Sequence, residues 1–241
     1  MLKQFFSSSQ IKESFKLDDA SDSQQNHTIM LLSGPPNSGK TSILFQYAYN
    51  RAVNGRKPVI FICNKKRMHS NPPFLSQGID PSSDVFSRIK MKYIENDEEI
   101  RKYFAAFHLH DSFPAAVVID DFGDFFDERT SQDRYGNARG RDLAMVRTLA
   151  LSRDAIDHAN KKLQPQDFCQ LLLSDTHHGD GPRQLFVYKK WLSCIFTIRG
   201  DGRGSFLLGR LGLGNASEKR TCFAKYTVAL QYLTLEGTAE E

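Results

Sequence analysis

The residues whose types and spacing could do chemistry lie close together in Gly34-Pro35-Pro36-Asn37-Ser38-Gly39-Lys40-Thr41. The two framing glycines permit tight turns that bring backbone N–H groups close to a polyphosphate. From first glycine to threonine the spacing matches the phosphate-loop pattern in full. In that pattern Lys40 reaches the β- and γ-phosphates of a nucleotide, and the Thr41 hydroxyl holds a magnesium ion. Gly34, Pro35, Pro36, Asn37, Ser38, Gly39, Lys40, Thr41 and Ser42 form the candidate binding set.

A second element sits further along. Ala115-Ala116-Val117-Val118-Ile119 is an apolar run that ends in Asp120-Asp121. Burial of such a strand fixes the backbone and projects Asp120 toward the metal held by Thr41. Asp121 is either a group that orients water or a plain loop acid. Lys40, Asp120 and Asp121 are the candidate catalytic residues, and Thr41 with Asp120 the candidate Mg2+ ligands. Asp121-Phe122-Gly123 has the letters of a kinase metal motif without the catalytic loop and lysine strand that accompany it.

These groups need a scaffold, and the sequence supplies one. The apolar run 29–33 reads as a buried parallel strand, and 39–53 as a helix with Ile43, Leu44 and Tyr47 on one stripe. Asn54-Gly55 reads as a left-handed helix stop. The run 58–63 is the second strand, followed by Lys65-Lys66-Arg67 at the edge where open α/β sheets bind ligands. That basic trio fits either phosphate or nucleic-acid contact or a solvated loop.

Further on, 89–94 alternates as a half-exposed strand. Residues 97–108 read as a helix with Ile100, Tyr103, Phe104 and Phe107 inward. His108 and His110 at its end read as surface histidines rather than metal ligands. The polar stretch 128–141, with Arg129, Arg134, Arg139 and Arg141, reads as a mobile loop before a helix over 142–163. Residues 168–173 form another buried strand, running into Ser174-Asp175-Thr176-His177-His178, where Thr176 and His177 are candidates to sense a γ-phosphate. Beyond that, 191–198, 205–208 and 223–235 read as strands added antiparallel at the sheet edge, with a tight turn at Arg199-Gly200-Asp201-Gly202-Arg203.

Composition bounds the rest. The 241 residues, 40% hydrophobic, suit one α/β domain over 28–236, between a flexible polar tail (1–27, with a short helix near 11–17) and a disordered end (237–241). A formal charge of +4 permits nucleic-acid contact without demanding it. No apolar run reaches the ~18 residues of a membrane span. The opening residues lack a secretory apolar core. The four cysteines, Cys63, Cys169, Cys194 and Cys222, form no Cys-x-x-Cys pair and suit a reducing compartment.

The phosphate loop, the strand ending in Asp120 and the β-rich carboxyl-terminal part together resemble the RecA-like recombinase core. Lys219-Arg220 resembles the basic pair before the last strands of recombinase paralogues. More narrowly, the chain is similar to the small Shu-complex ATPases that partner a SWIM-domain zinc-finger protein. That likeness is carried by Ser38-Gly39-Lys40-Thr41-Ser42-Ile43-Leu44-Phe45, Pro58-Val59-Ile60-Phe61-Ile62, Asp80-Pro81, Ile89-Lys90-Met91-Lys92-Tyr93 and Val117-Val118-Ile119-Asp120. The resemblance spans roughly 28–235. It implies an α/β fold with a mostly parallel sheet flanked by helices and antiparallel strands at its carboxyl-terminal end. It also implies ATP and Mg2+ as cofactors, single-stranded DNA, a SWIM-domain protein and recombinase paralogues as partners, and work in homologous recombination in the nucleus.

One departure stands out. RecA-type enzymes place a catalytic glutamate just after the second strand, where this chain reads Cys63-Asn64-Lys65-Lys66. Without a general base the site binds ATP and hydrolyses it slowly. Two other readings stay open: a small-molecule kinase whose lid is the arginine stretch near Arg139, and a scaffold whose nucleotide is structural.

Overall fold

The run Ile29–Gly34, apolar except at its end, is buried on both faces and forms strand β1. In the computed structural model, which describes residues 2–14, 27–55, 57–126, 137–164, 167–179, 184–212 and 222–240, β1 lies inside a 10-stranded sheet. The other strands are β2 (Val59–Cys63), β3 (Leu75–Ser76), β4 (Ile89–Tyr93), β5 (Ala116–Ile119), β6 (Gln170–Thr176), β7 (Cys194–Gly200), β8 (Phe206–Arg210), β9 (Cys222–Ala229) and β10 (Tyr232–Glu240). Their order is β3-β10-β9-β8-β7-β1-β6-β5-β2-β4. The half from β7 to β4 is parallel throughout, and β8, β9 and β10 form an antiparallel wing.

Helices cover both faces. On one face lie α1 (Ser8–Ser14) and α2 (Lys40–Asn54), whose Ile43, Leu44, Tyr47, Ala48 and Ala52 are buried. The short α3 (Lys65–Ser70) follows β2 directly. On the other face lie α4 (Asp97–Ala105), α5 (Ala138–Lys162) and α6 (Leu185–Trp191). Burial on both faces explains why the parallel strands are continuous apolar runs. No helix among the described residues is long and apolar enough to cross a membrane.

Several expectations are corrected. The amino-terminal segment packs rather than trailing free over residues 2–14: Phe5 and Phe6 are fully buried, and Phe5 meets Phe196 edge-on at 4.9 Å. The Asn50 side chain donates to the Gln4 and Phe6 carbonyls, and Gln10 donates to the Leu233 carbonyl, satisfying a segment that has no sheet partner. The expected helix starts earlier, at Ser8. The carboxyl end is paired rather than disordered, since β10 runs to Glu240 against β9.

β7 is parallel to β1, not antiparallel as expected, because α6 provides a crossover over 185–191, where the sequence reading placed no helix and began the strand at Trp191. Asn137 accepts from the Gly140 N–H and starts α5 at Ala138, so Arg139 and Arg141 stand on its first turn, not in a loop. Gly55 ends α2 in extended conformation, φ −120°, not left-handed. The single stretch 223–235 is a hairpin, turning at Leu230-Gln231 with φ of 51° and 65°. Arg129, Arg134, Lys219 and Arg220 lie outside the described residues.

Candidate functional site

The loop 34–41 joins β1 to α2 at the carboxyl edge of the parallel strands. Asn37 (φ 59°) and Gly39 (φ 74°) take left-handed conformations, and Gly39 caps α2 without a side chain in the way. Its freedom is required twice. A Cβ there would adopt a strained φ and meet Val228 Cγ2 at 2.5 Å. A Cβ on Gly34 would meet Ile198 Cβ at 2.9 Å. The antiparallel wing thus supports the loop from beneath. Tyr226 on β9 adds a hydrogen bond, its hydroxyl donating to the Ser38 carbonyl at 2.7 Å. Ser38 Oγ donates to the Pro35 carbonyl at 2.8 Å.

Lys40 is buried, and its Nζ donates to the carbonyls of Gly34 (3.3 Å) and Pro35 (2.9 Å). Burial lowers its pKa, and the charges of Asp121, Asp120 and Asp175 oppose that shift. Thr41 Oγ1 donates to Asp120 Oδ2 at 2.9 Å, so the two candidate metal ligands meet. Ser174 Oγ donates to the other carboxylate oxygen of Asp120 at 2.9 Å and accepts from the Asp121 N–H at 2.8 Å. Burial, reinforced by the neighbouring Asp121 charge, pushes Asp120 up to about 6, against the pull of the Ser174 and Thr41 hydrogen bonds.

Asp121 is left-handed, φ 49°, and its carboxylate is engaged twice. Thr176 Oγ1 donates to Oδ1 at 2.8 Å, and Arg67 Nη2 lies 2.5 Å from Oδ2. Arg67 Nη1 also pairs with Asp124. Asn64, within the stretch 63–66 where the resemblance leads one to expect a glutamate, caps α3 by accepting from the Lys66 and Arg67 amides. The cleft over these groups has a volume of about 410 Å3; Ser42, Pro72 and Phe74 also line it.

Most of the expected residues therefore come together: residues 36–42, Asp120, Asp121 and Thr176 share one cleft, while Gly34 and Pro35 lie behind it, their carbonyls accepting from Lys40. His177 does not join them; it is buried with Nδ1 2.7 Å from Ser33 Oγ. Of the basic trio only Arg67 reaches the cleft, while Lys65 and Lys66 are exposed. His108 and His110 are exposed, and no cluster of three or more His, Cys, Asp or Glu able to hold a metal occurs among the described residues.

Sequence reasoning missed Ser174, Tyr226, Val228 and the buried pair Asp175–Tyr188, in which the Tyr188 hydroxyl donates to Asp175 at 2.9 Å. Ser174 carried one signal: a polar residue closing an apolar strand beside the one that ends in Asp120.

The donor set fits a magnesium nucleotide. One hydroxyl and one carboxylate within hydrogen-bond distance are hard oxygen ligands of the kind that hold Mg2+ together with phosphates rather than alone. Left-handed backbone at Asn37 and Gly39 is the conformation from which successive N–H groups form an anion nest.

No known family profile matches the chain. It is similar to the human protein named ATPase SWSAP1. The two are 25% identical over 146 residues, which is 60% of this chain and 58% of that relative. The mixed α/β architecture, with its largely parallel sheet and antiparallel carboxyl-terminal strands, fits the resemblance drawn from the motifs.

Proposed function

We propose that this chain is a RecA-like protein that binds ATP with Mg2+ through a phosphate loop at residues 34–42 and hydrolyses it slowly. The observation that carries the reading is the convergence of a left-handed glycine loop, Lys40 and the Thr41–Asp120 pair in one cleft at the carboxyl edge of a parallel sheet. Lys40 neutralises the β- and γ-phosphates, Thr41 and Asp120 hold the cation, and the loop amides with the amino terminus of α2 receive the remaining charge. Bound Mg2+ neutralises developing charge on the phosphates.

Slow turnover follows from the chain's own residues. The Asn64 side-chain oxygen accepts hydrogen bonds from the Lys66 and Arg67 amides and is too weak a base to remove a proton from water, and the Asp121 carboxylate is held by the Thr176 hydroxyl. On the motif resemblance we further propose that the protein acts in homologous recombination in the nucleus, with a SWIM-domain partner, recombinase paralogues and single-stranded DNA; the similarity to the protein named ATPase SWSAP1 supports the ATPase part of the reading.

Isothermal titration with Mg-ATP tests the core of the proposal: saturable one-site binding, lost in Lys40→Ala, supports it, and heat no different from buffer overturns it. Filter binding of single-stranded DNA at rising salt tests the other half, with steeply falling affinity expected and absent binding refuting it. The missing base also favours a second reading, a nucleotide that only stabilises the fold; no turnover even with DNA and partner present would select it. Among the described residues the chain continues after β7 with antiparallel strands, which weighs against a small-molecule kinase.

A further inference from the structure

Among the described residues, Arg67 is the one strongly basic side chain other than Lys40 that lines the cleft. Its helix α3 is short and capped by Asn64. The segment after α3 is anchored to the loop's own helix, where the Phe74 N–H donates to Ser42 Oγ at 2.9 Å. Arg67 is therefore placed relative to Lys40 and Thr41 by two short tethers. Its guanidinium is gripped by two acids of one tight turn: Nη2 by Asp121 at 2.5 Å, Nη1 by Asp124. Phe122, Phe125 and Phe126 are buried and anchor that turn, which holds Asp124 at the surface.

The charge balance gives this arrangement a purpose. Asp120, Asp121, Asp124 and Asp175 surround Lys40 and Arg67, so carboxylates outnumber cations. A cation held by Thr41 and Asp120 adds positive charge beside Asp121 and weakens its hold on the arginine. A terminal phosphate at the cation end of the loop offers the guanidinium a planar, bidentate partner better matched than two separate carboxylates. Arg67 is half-exposed, so its side chain can turn without unpacking the core.

We propose that Arg67 reads the γ-phosphate: with a triphosphate bound its guanidinium leaves Asp121 and Asp124 for the terminal phosphate, and with a diphosphate it stays on the two acids. The same movement releases Asp121 Oδ2 and Asp124 from the guanidinium while Thr176 keeps Asp121 Oδ1, so nucleotide state is written into the turn 121–126. This inference rests on the nucleotide reading above.

The test is titration of the full chain with a non-hydrolysable ATP analogue and with ADP, each with Mg2+, comparing wild type, Arg67→Gln, Arg67→Lys, Asp124→Asn and the double variant R67Q/D124N. Loss of a charge-assisted hydrogen bond predicts that R67Q lowers the analogue-to-ADP affinity ratio by roughly ten- to hundredfold. ADP affinity stays within about twofold, and R67K falls between. D124N, which loosens the grip, raises the ratio by a fewfold in wild type and has no effect once Arg67 is gone.

An unchanged ratio in R67Q, or equal losses for both nucleotides, overturns the proposal. So does a D124N effect that persists without Arg67. Should R67Q fail to fold by circular dichroism, R67K and D124N carry the test: opposite shifts support it and no shift in either refutes it. A wild type that binds neither nucleotide overturns the nucleotide reading and this inference with it, whereas wild-type binding with indifferent variants removes the arginine's role alone.

Discussion

Replacing Gly39 by alanine should destabilise the protein for two separable reasons, and one further substitution tells them apart. The first is backbone strain, because a non-glycine residue at φ 74° costs about 1–2 kcal/mol. The second is steric. The new Cβ meets Val228 Cγ2 at 2.5 Å, and forcing a methyl into packed space costs about 1–3 kcal/mol more. The single variant should therefore lose about 2–5 kcal/mol. Val228→Ala removes the offending methyl and leaves Val228 Cβ 3.6 Å from the added carbon, an ordinary contact. In that background the alanine should cost only the backbone term, giving a coupling of about 1–3 kcal/mol. Urea unfolding of the four proteins, with midpoints converted through a common slope, measures it. Additive losses would refute the claim that the antiparallel wing, through Val228, is what requires a glycine at the mouth of the loop.

Other outcomes follow from single contacts. Burial pushes the Asp175 pKa up to about 7 from an ordinary 3.8, against the hydrogen bond from Tyr188. A raised carboxylate contributes stability that is full below pH 3.8 and lost as pH rises through 7, so Asp175→Asn should stabilise the fold at pH 8 by up to about 4 kcal/mol and gain little at pH 4, read from thermal melts across that range. Phe5→Ala should cost about 3–5 kcal/mol in urea unfolding, because the ring is fully buried against Phe196; a loss below 1 kcal/mol would show that the amino-terminal segment does not belong to the core. Leu230→Asn with Gln231→Gly, at two adjacent positive-φ residues, should raise stability by about 1 kcal/mol through a better two-residue hairpin turn, and an unchanged melting temperature would argue against that turn.

The loop 34–41 was legible because its chemistry is local: glycine spacing, lysine and threonine sit within one turn of chain. The strands β1, β2, β5 and β6 were legible because burial on both faces forces short apolar runs. Phe5 and Phe6 were not, since a polar, serine-rich surrounding hides two rings whose partners lie on α2, β7 and β9. The direction of β7 was missed because α6 is only 7 residues long and its apolar end runs into the strand without a break in pattern. At α5 the eye was caught by Gly140 and the arginines, while the deciding group was the Asn137 side chain that caps the first turn.

Within the site, Asp120 and Thr41 could be paired from motif logic alone. Arg67 and Val228 reach the cleft from other strands and helices, and Ser174 and Tyr226 support its Asp120 and Ser38 from beneath; only the sheet order, with β2 beside β5 and the wing beyond β7, brings them there. The choice among Lys65, Lys66 and Arg67 turned on the phase of a 6-residue helix, which no run of three basic residues reveals.

The central claim is that a triphosphate lodges on the loop 34–42 with a cation held by Thr41 and Asp120. Equilibrium dialysis of the purified, folded chain against labelled ATP tests it most directly. Close to one nucleotide per chain should be retained with Mg2+ present, falling sharply on chelation and in Lys40→Ala. Equal counts on both sides of the membrane, with the wild-type protein folded and Mg2+ in excess, would contradict it.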